Sequence, residues 1–156
     1  MSGTDGKVAT TEWWNSPGAA ILDTTNSAAV VWFQSLLEKL RKEIGIHSFK
    51  FDAGESYYLP ENYKLNASET DVPEEWTRNY VKMTASFGND IEIRSGRDTM
   101  NYPVFVRILD RDSRWVAETG IKSLVPVVLT FGLLGYPFVL PDMVGGNTYI
   151  LLSNDK

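Results

Sequence analysis

Hydrophobic and polar positions along this chain resolve into five short apolar runs, each closed by a charged residue. They are Ala19-Ala20-Ile21-Leu22-Asp23, Ser48-Phe49-Lys50-Phe51-Asp52, Asp90-Ile91-Glu92-Ile93-Arg94, Val104-Phe105-Val106-Arg107-Ile108-Leu109-Asp110 and Phe138-Val139-Leu140-Pro141-Asp142. Runs this short, rich in β-branched and aromatic residues, predict strands. Laid side by side and parallel, they gather four acids and one arginine at one rim of a sheet. That rim is where α/β barrels do their chemistry. The layout suits a polyhydroxylated substrate.

Between the first two runs the spacing changes from two to three and four. Ala29, Trp32, Phe33, Leu36, Leu37, Leu40 and Ile44 form one stripe, which predicts a helix over 26–44 and a core-facing role for the stripe. Thr25 or Asn26 is available as its cap, Glu38 and Lys42 form an i,i+4 pair, and Gly45 can close it. A second helix is expected over 73–87, capped by Asp71, with Trp76, Tyr80, Met83 and Phe87 on one face and Gly88 at its end. A third is expected from Asp112-Ser113 towards Leu134, bent at Pro126.

Alternating strands and helices argue for an α/β fold with a parallel sheet. The link over 95–103 is too short for an ordinary helical crossover, so those two strands need a helical turn or a different pairing. A complete eight-stranded barrel takes about 250 residues. This chain of 156 residues has room for about five such strands. The expected fold is therefore a partial (β/α)8 TIM barrel with covering helices. Its predicted limits are 13–147, with an N-terminal tail over 1–12 and a C-terminal tail over 148–156.

Strand residues alternate between faces. Phe49 and Phe51 share the face that the helices cover, which sends Lys50 and Asp52 to the interior of the barrel. Ile91 and Ile93 then face out, and Glu92 and Arg94 face in. Inward charges are costly unless they pair or act on something. A buried salt-bridge layer of Lys50, Glu92, Arg94 and Asp52 is one use of them, and chemistry is the other.

Bulk properties narrow the function. The net charge is −5 with scattered basic residues, so no electrostatic stripe for nucleic acid is present. Without cysteine, a disulfide framework or thiolate metal site is excluded, and with His47 as the single histidine a histidine-based triad has little to work with. Residues 123–141 carry no charge, but Pro126, Gly132, Gly135 and Pro137 interrupt them, which reads as a buried helix and strand rather than a membrane span. The N-terminus lacks the basic and apolar segments of a signal peptide.

Among the rim acids, Asp110 closes its strand on the side of Val106 and Ile108, whereas Asp112 is placed to cap the next helix. Asp142 precedes Gly145-Gly146, where backbone can approach a ligand, although a cap or turn acid is equally consistent. Asp23, followed by two threonines, reads as a structural cap. Trp13-Trp14 can stack on a sugar or pack in the core. His47 reads as a packing or surface residue.

These motifs also carry a resemblance. The segment over 48–55 resembles the nucleophile strand of glycoside hydrolase family 31. Arg94-Ser95 resembles that family's sugar-binding arginine, and Asp110 with Trp115 its acid/base strand. The segment over 132–146 is similar to a following helix end and strand. The family's Trp-x-Asp-x-Asn-Glu is replaced by Phe51-Asp52-Ala53-Gly54-Glu55, and its Gly-Asp-Asn by Leu109-Asp110-Arg111. Those departures resemble the myogenesis-regulating glycosidase branch, where Phe-Lys-Phe-Asp-Ala-Gly-Glu and Asp-Arg-Asp-Ser are characteristic.

The resemblance implies a retaining α-glycosidase acting on a carbohydrate, with α-galactoside favoured over α-glucoside and no metal or organic cofactor. It implies Asp52 as nucleophile and Asp110 as acid/base, with Arg94, Asp142, Lys50 and Trp14 holding substrate. Lys50 and Arg94 would keep Asp52 ionised, while Asp110 requires a drier or more negative setting. With several pocket walls missing, little or no turnover is expected of the chain by itself. Family relatives point to the secretory pathway; no targeting signal was found, and the oligomeric state is open. Two rivals remain: a Mg²⁺-dependent barrel lyase using Asp52, Asp110 and Asp142, and a non-catalytic sugar-binding or assembly protein derived from the barrel.

Overall fold

A computed structural model describes residues 1–14, 16–68 and 70–148. The expected tail over 148–156 lies outside the described residues except for Thr148.

The chain opens with an antiparallel hairpin of β1 (Thr10–Trp13) and β2 (Ser16–Ala20), in register Thr10↔Ala20 and Thr11↔Ala19. The first apolar run therefore does not join the parallel sheet. Its N-terminal half is taken by β1, and its C-terminal half bonds elsewhere. The Ile21 carbonyl accepts from the N-terminal amine at 2.9 Å, and the Leu22 carbonyl from Trp76 Nε1 at 2.9 Å. Within residues 1–12, Ala9 is buried, and Ser2 bridges to Val8 and Lys64.

Helix α1 (Ser27–Ile44) follows the predicted limits closely. Asn26 Oδ1 accepts from the N–H groups of Ala28 and Ala29, and Gly45 closes the helix at φ 75°. Asp23 has the structural role expected of it, accepting from Thr25 N and Oγ1 just before the helix. The stripe is only partly core. Leu37 packs against the buried cluster and Phe33 lines a cavity, but Trp32, Leu36, Leu40 and Ile44 are exposed. Among the described residues no layer lies outside that half of the helix to cover them.

Four short parallel strands form the sheet: β3 (Lys50–Phe51), β4 (Glu92–Ile93), β5 (Phe105–Arg107) and β6 (Val139–Leu140), in that order. Phe51, Ile93, Val106 and Val139 stand in one row across it. Between β3 and β4 lies α2 (Glu74–Ala85), which buries Trp76, Val81 and Met83. The β4–β5 link contains no α-helix and still joins parallel neighbours.

The alternation predicted for β3 and β4 holds. Phe51, Ile91 and Ile93 belong to the buried cluster with Val81, Phe87, Val104 and Val106, on the α2 side. Phe49, Phe51 and Phe87 are mutual ring neighbours at 5.3–5.6 Å. Each such side chain contributes about 1.5–3 kcal/mol on burial. Lys50 and Glu92 stand together on the opposite face.

Two expected caps are corrected. Asp71 makes no side-chain cap at α2, which starts after Pro73; its carboxylate sits 3.5 Å from Arg78. Asp112 caps no helix either. It accepts from Thr119 Oγ1 at 2.5 Å and bridges to Gly120 and Asn147, so the third helix, α3 (Leu124–Leu133), begins a dozen residues later than predicted. Pro126 then falls in the first turn, where its missing N–H costs no helical bond and no bend is required. Val125, Leu129 and Leu133 of α3 are exposed. No described helix is long and apolar enough to cross a membrane.

Candidate active site

The sharpest local feature of the chain follows β3. Ala53 and Gly54 have φ of 60° and 91°, so the backbone turns abruptly at the end of the strand. Three side chains hold three consecutive carbonyls there. Tyr80 donates to Asp52 O at 2.6 Å, Ser95 to Ala53 O at 2.8 Å and Thr77 to Gly54 O at 2.9 Å. A Cβ on Gly54 would lie 2.6 Å from the Tyr80 ring and also strike Ser95 Oγ. Helix α2 and the segment after β4 thus fix where Asp52 points.

Two guanidiniums meet the Asp52 carboxylate. Arg107 NH2 donates to Oδ1 at 2.6 Å, and Arg94 NH1 lies 3.2 Å from the same oxygen. Both arginine side chains are nearly inaccessible, at 5% and 6% exposure, whereas Asp52 is half exposed. Partial burial pushes the Asp52 carboxyl up, but the Arg107 hydrogen bond, the Ala53 backbone N–H and the two arginine charges outweigh it, and the group is held below 3.8.

Arg107 is the hub. Its NH1 donates to Asp110 Oδ1 at 2.9 Å, and its Nε lies 3.5 Å from Asp142 and 3.7 Å from Glu92. Lys50 completes the ring, 2.7 Å from Asp142 and 3.2 Å from Glu92. The hydrogen bond to Asp142 is the main reason the Lys50 ammonium is held above 10.5. Charges from four neighbouring strands therefore converge on one rim.

The structure brings Asp52, Asp110, Arg94, Asp142 and Lys50 together and leaves Trp14 out. Trp14 is 59% exposed in the hairpin turn at φ 52°. Its neighbour Trp13 packs against Tyr58 at 4.4 Å with the rings tilted by 53°, and lines a cavity of about 440 Å³ with Leu22, Phe33, Asp52 and Trp76. The setting expected for Asp110 also differs, since a guanidinium is hydrogen-bonded to it. Strand pairing stops at Arg107, so Asp110 does not continue on the side of Val106 and Ile108 but reaches back to the inner face. Gly146 approaches the backbone of Arg111 and Asp112, not an open site. His47 pairs with Asp90 on the surface.

Sequence reasoning passed over Arg107 and Glu55. Alternation within 104–108 places Arg107 on the face opposite Val106, which is the signal that could have found it. Glu55 takes the other edge of Arg94, from Nε to Oε1 at 2.5 Å and NH2 to Oε2 at 3.0 Å. The acids required by the metal-lyase rival are shared between Arg107 and Lys50, and no group of three metal-ligating side chains occurs among the described residues.

No family model matches the chain. It is 46% identical over 139 residues to the mouse protein named myogenesis-regulating glycosidase, a match that covers 89% of this chain and 19% of the relative. The chain belongs to glycoside hydrolase family 31. A sulfoquinovosidase from Escherichia coli K12 is 25% identical over 147 residues, covering 87% of this chain and 21% of that protein. The SITS-binding protein of Tetronarce californica is 27% identical over 135 residues, covering 86% and 19%. A family 31 sulfoquinovosidase from E. rectale, solved with an aza-sugar inhibitor, superposes with a TM-score of 0.77 at 21% identity, over 96% of this chain and 24% of that one. The chain spans about a fifth of the length of the curated relatives it matches.

Proposed function

We propose that the chain supplies the nucleophile, acid/base and sugar-holding strands of a retaining α-glycosidase on a (β/α)8 barrel, with α-galactosides as substrates. One observation carries this reading: Asp52 and Asp110 are both hydrogen-bonded to the same guanidinium. Retaining chemistry needs two carboxyls about 5–5.5 Å apart. A separation of that order is one that a single planar fork can bridge.

In the first step an Asp52 oxygen bonds to the anomeric carbon as the glycosidic C–O bond breaks, and the leaving oxygen takes a proton from Asp110. In the second, Asp110 removes a proton from water, whose oxygen displaces Asp52 and frees the sugar. In this reading Arg94, Lys50 and Asp142 hold sugar hydroxyls, and Trp13, rather than Trp14, offers an aromatic surface to the sugar ring. Four strands leave the pocket without several of its walls, and a misplacement of about 1 Å can cost about a hundredfold in rate. Turnover by the chain alone is therefore expected to be very slow.

Binding is the more direct test. A galactose-configured iminosugar, cationic at the position of the anomeric centre, should raise the melting temperature of the purified chain, and Asp52→Asn should abolish the rise. Glucose- and sulfoquinovose-configured iminosugars serve as comparisons, and nitrophenyl α-galactoside reports any turnover. Equal binding to Asp52→Asn, or no stabilisation by any of the three, would overturn the reading. Tightest binding of the sulfoquinovose form would overturn the choice of galactoside.

A further inference from the structure

Arg107 contacts both carboxylates to which the proposed reaction assigns opposite charge changes. In the first half-reaction Asp52 passes from anion to neutral ester, while Asp110 passes from neutral acid to anion. In the second half-reaction each change reverses. One unit of negative charge therefore moves from one partner of Arg107 to the other and back. The NH2 group serves Asp52 and the NH1 group serves Asp110, so each stage leaves one arm of the buried cation on an ionised carboxylate.

Resting on the retaining-glycosidase reading, we propose that Arg107 is a positioning residue that fixes the gap between nucleophile and acid/base and stays charge-paired as the negative charge passes between them. Arg94 and Lys50 are engaged differently. Arg94 gives its Nε and NH2 to Glu55 and only NH1 to Asp52. Lys50 is occupied by Asp142 and Glu92. Asp142 and Glu92 stand 3.5 and 3.7 Å from Arg107 Nε and its NH1 makes a longer bond to the Ile108 carbonyl at 3.4 Å, so its two short bonds are the ones to Asp52 and Asp110. A planar fork holds two partners at a set spacing, which a lysine cannot do.

The test reads the two carboxyls directly. Carbon-detected titration of the intact chain gives midpoints for Asp52 and Asp110 in wild type, Arg107→Gln and Arg107→Lys, with circular dichroism as the folding control. Around Asp52 the other charged or titratable groups are Lys50 and Glu55 on its own segment, Arg94 just after β4 and Tyr80 from α2. Loss of the shared cation in Arg107→Gln should raise both midpoints; Arg107→Lys should keep part of the effect on one carboxyl only. A rise at one site or at neither overturns the proposal.

A second arm labels Asp52 with an α-galactose-configured cyclophellitol aziridine and follows the adduct by peptide mass. Arg107→Gln should be labelled about a hundredfold more slowly, with partial rescue by added guanidinium ion. A labelled wild type whose midpoints ignore Arg107 sinks this proposal alone. A wild type that no sugar-configured aziridine labels even on prolonged incubation at saturating probe sinks the glycosidase reading and the charge exchange with it.

Discussion

Arg94 lies edge to edge with Glu55, Nε to Oε1 at 2.5 Å and NH2 to Oε2 at 3.0 Å, which leaves only its NH1 for Asp52. The pair is bidentate and largely buried, with 6% of Arg94 and 16% of Glu55 exposed. Glu55→Gln removes the counter-charge and frees the guanidinium to swing. Breaking one side of such a buried pair costs about 3–5 kcal/mol. Urea unfolding should show a loss of that order, and restoration of a charge pair by the double variant Glu55→Lys, Arg94→Glu should recover little, because the fork is lost.

The Asp52 carboxyl, held below 3.8 by its arginines, gives a pH dependence of known sign. Its folded value is depressed, so the stability it contributes is present above pH 3.8 and is lost as the pH falls through the folded value. Acid unfolding of the wild type should therefore be steeper below about pH 4 than that of Asp52→Asn. Parallel curves would contradict the assignment.

Tyr80 titrates in the opposite sense. Burial first, and then the charges of Asp52 and Glu55, push its phenol above 10. A raised folded value means that stability is intact below pH 10 and falls as the pH rises beyond it. Tyr80→Phe should flatten the alkaline limb of a melting-temperature profile. It should also cost about 1 kcal/mol near neutrality through the lost bond to the Asp52 carbonyl.

Gly54→Ala tests the turn that aims Asp52. The position has φ 91°, and its added methyl carbon would stand 2.6 Å from the Tyr80 ring. Strain at such a backbone costs about 1–3 kcal/mol before any clash is counted. The variant should lose at least that much stability, and iminosugar binding should weaken more than in a surface control such as Gly6→Ala, which meets nothing within 4 Å.

The uncovered apolar faces carry a separate expectation. Ile44 of α1 is 67% exposed and Leu133 of α3 is 89% exposed, and β3 and β6 are the edge strands of the sheet. Light scattering should show concentration-dependent association of the chain. Replacing both residues with glutamate should reduce it while changing unfolding free energy by about 0.5 kcal/mol or less per site.

Local regularities were readable in advance. The stripe from Ala29 to Ile44 with Asn26 and Gly45 at its ends marked α1 almost to the residue, because a helix is built from contacts three and four positions apart. Alternation in β3 and β4 showed which residues enter the core and which face the rim. The run over 19–23 misled because an apolar pentapeptide says that a strand is favourable, not which strand it pairs with. Asp112 misled for a similar reason: a cap is one of several uses for an acid beside a backbone N–H.

By itself the sequence marked the runs that become the four parallel strands, the two helices with clear periodicity, and Asp52, Arg94 and Asp142 just beyond strand ends, since each follows from spacing along the chain. Only the tertiary structure decided that Arg107 joins Asp52 to Asp110, that Glu55 takes Arg94, and that Lys50 answers Asp142. Partner choice among charges depends on strand order, stagger and the reach of each side chain. Those quantities exist only once residues 55 and 92 positions apart have been brought side by side.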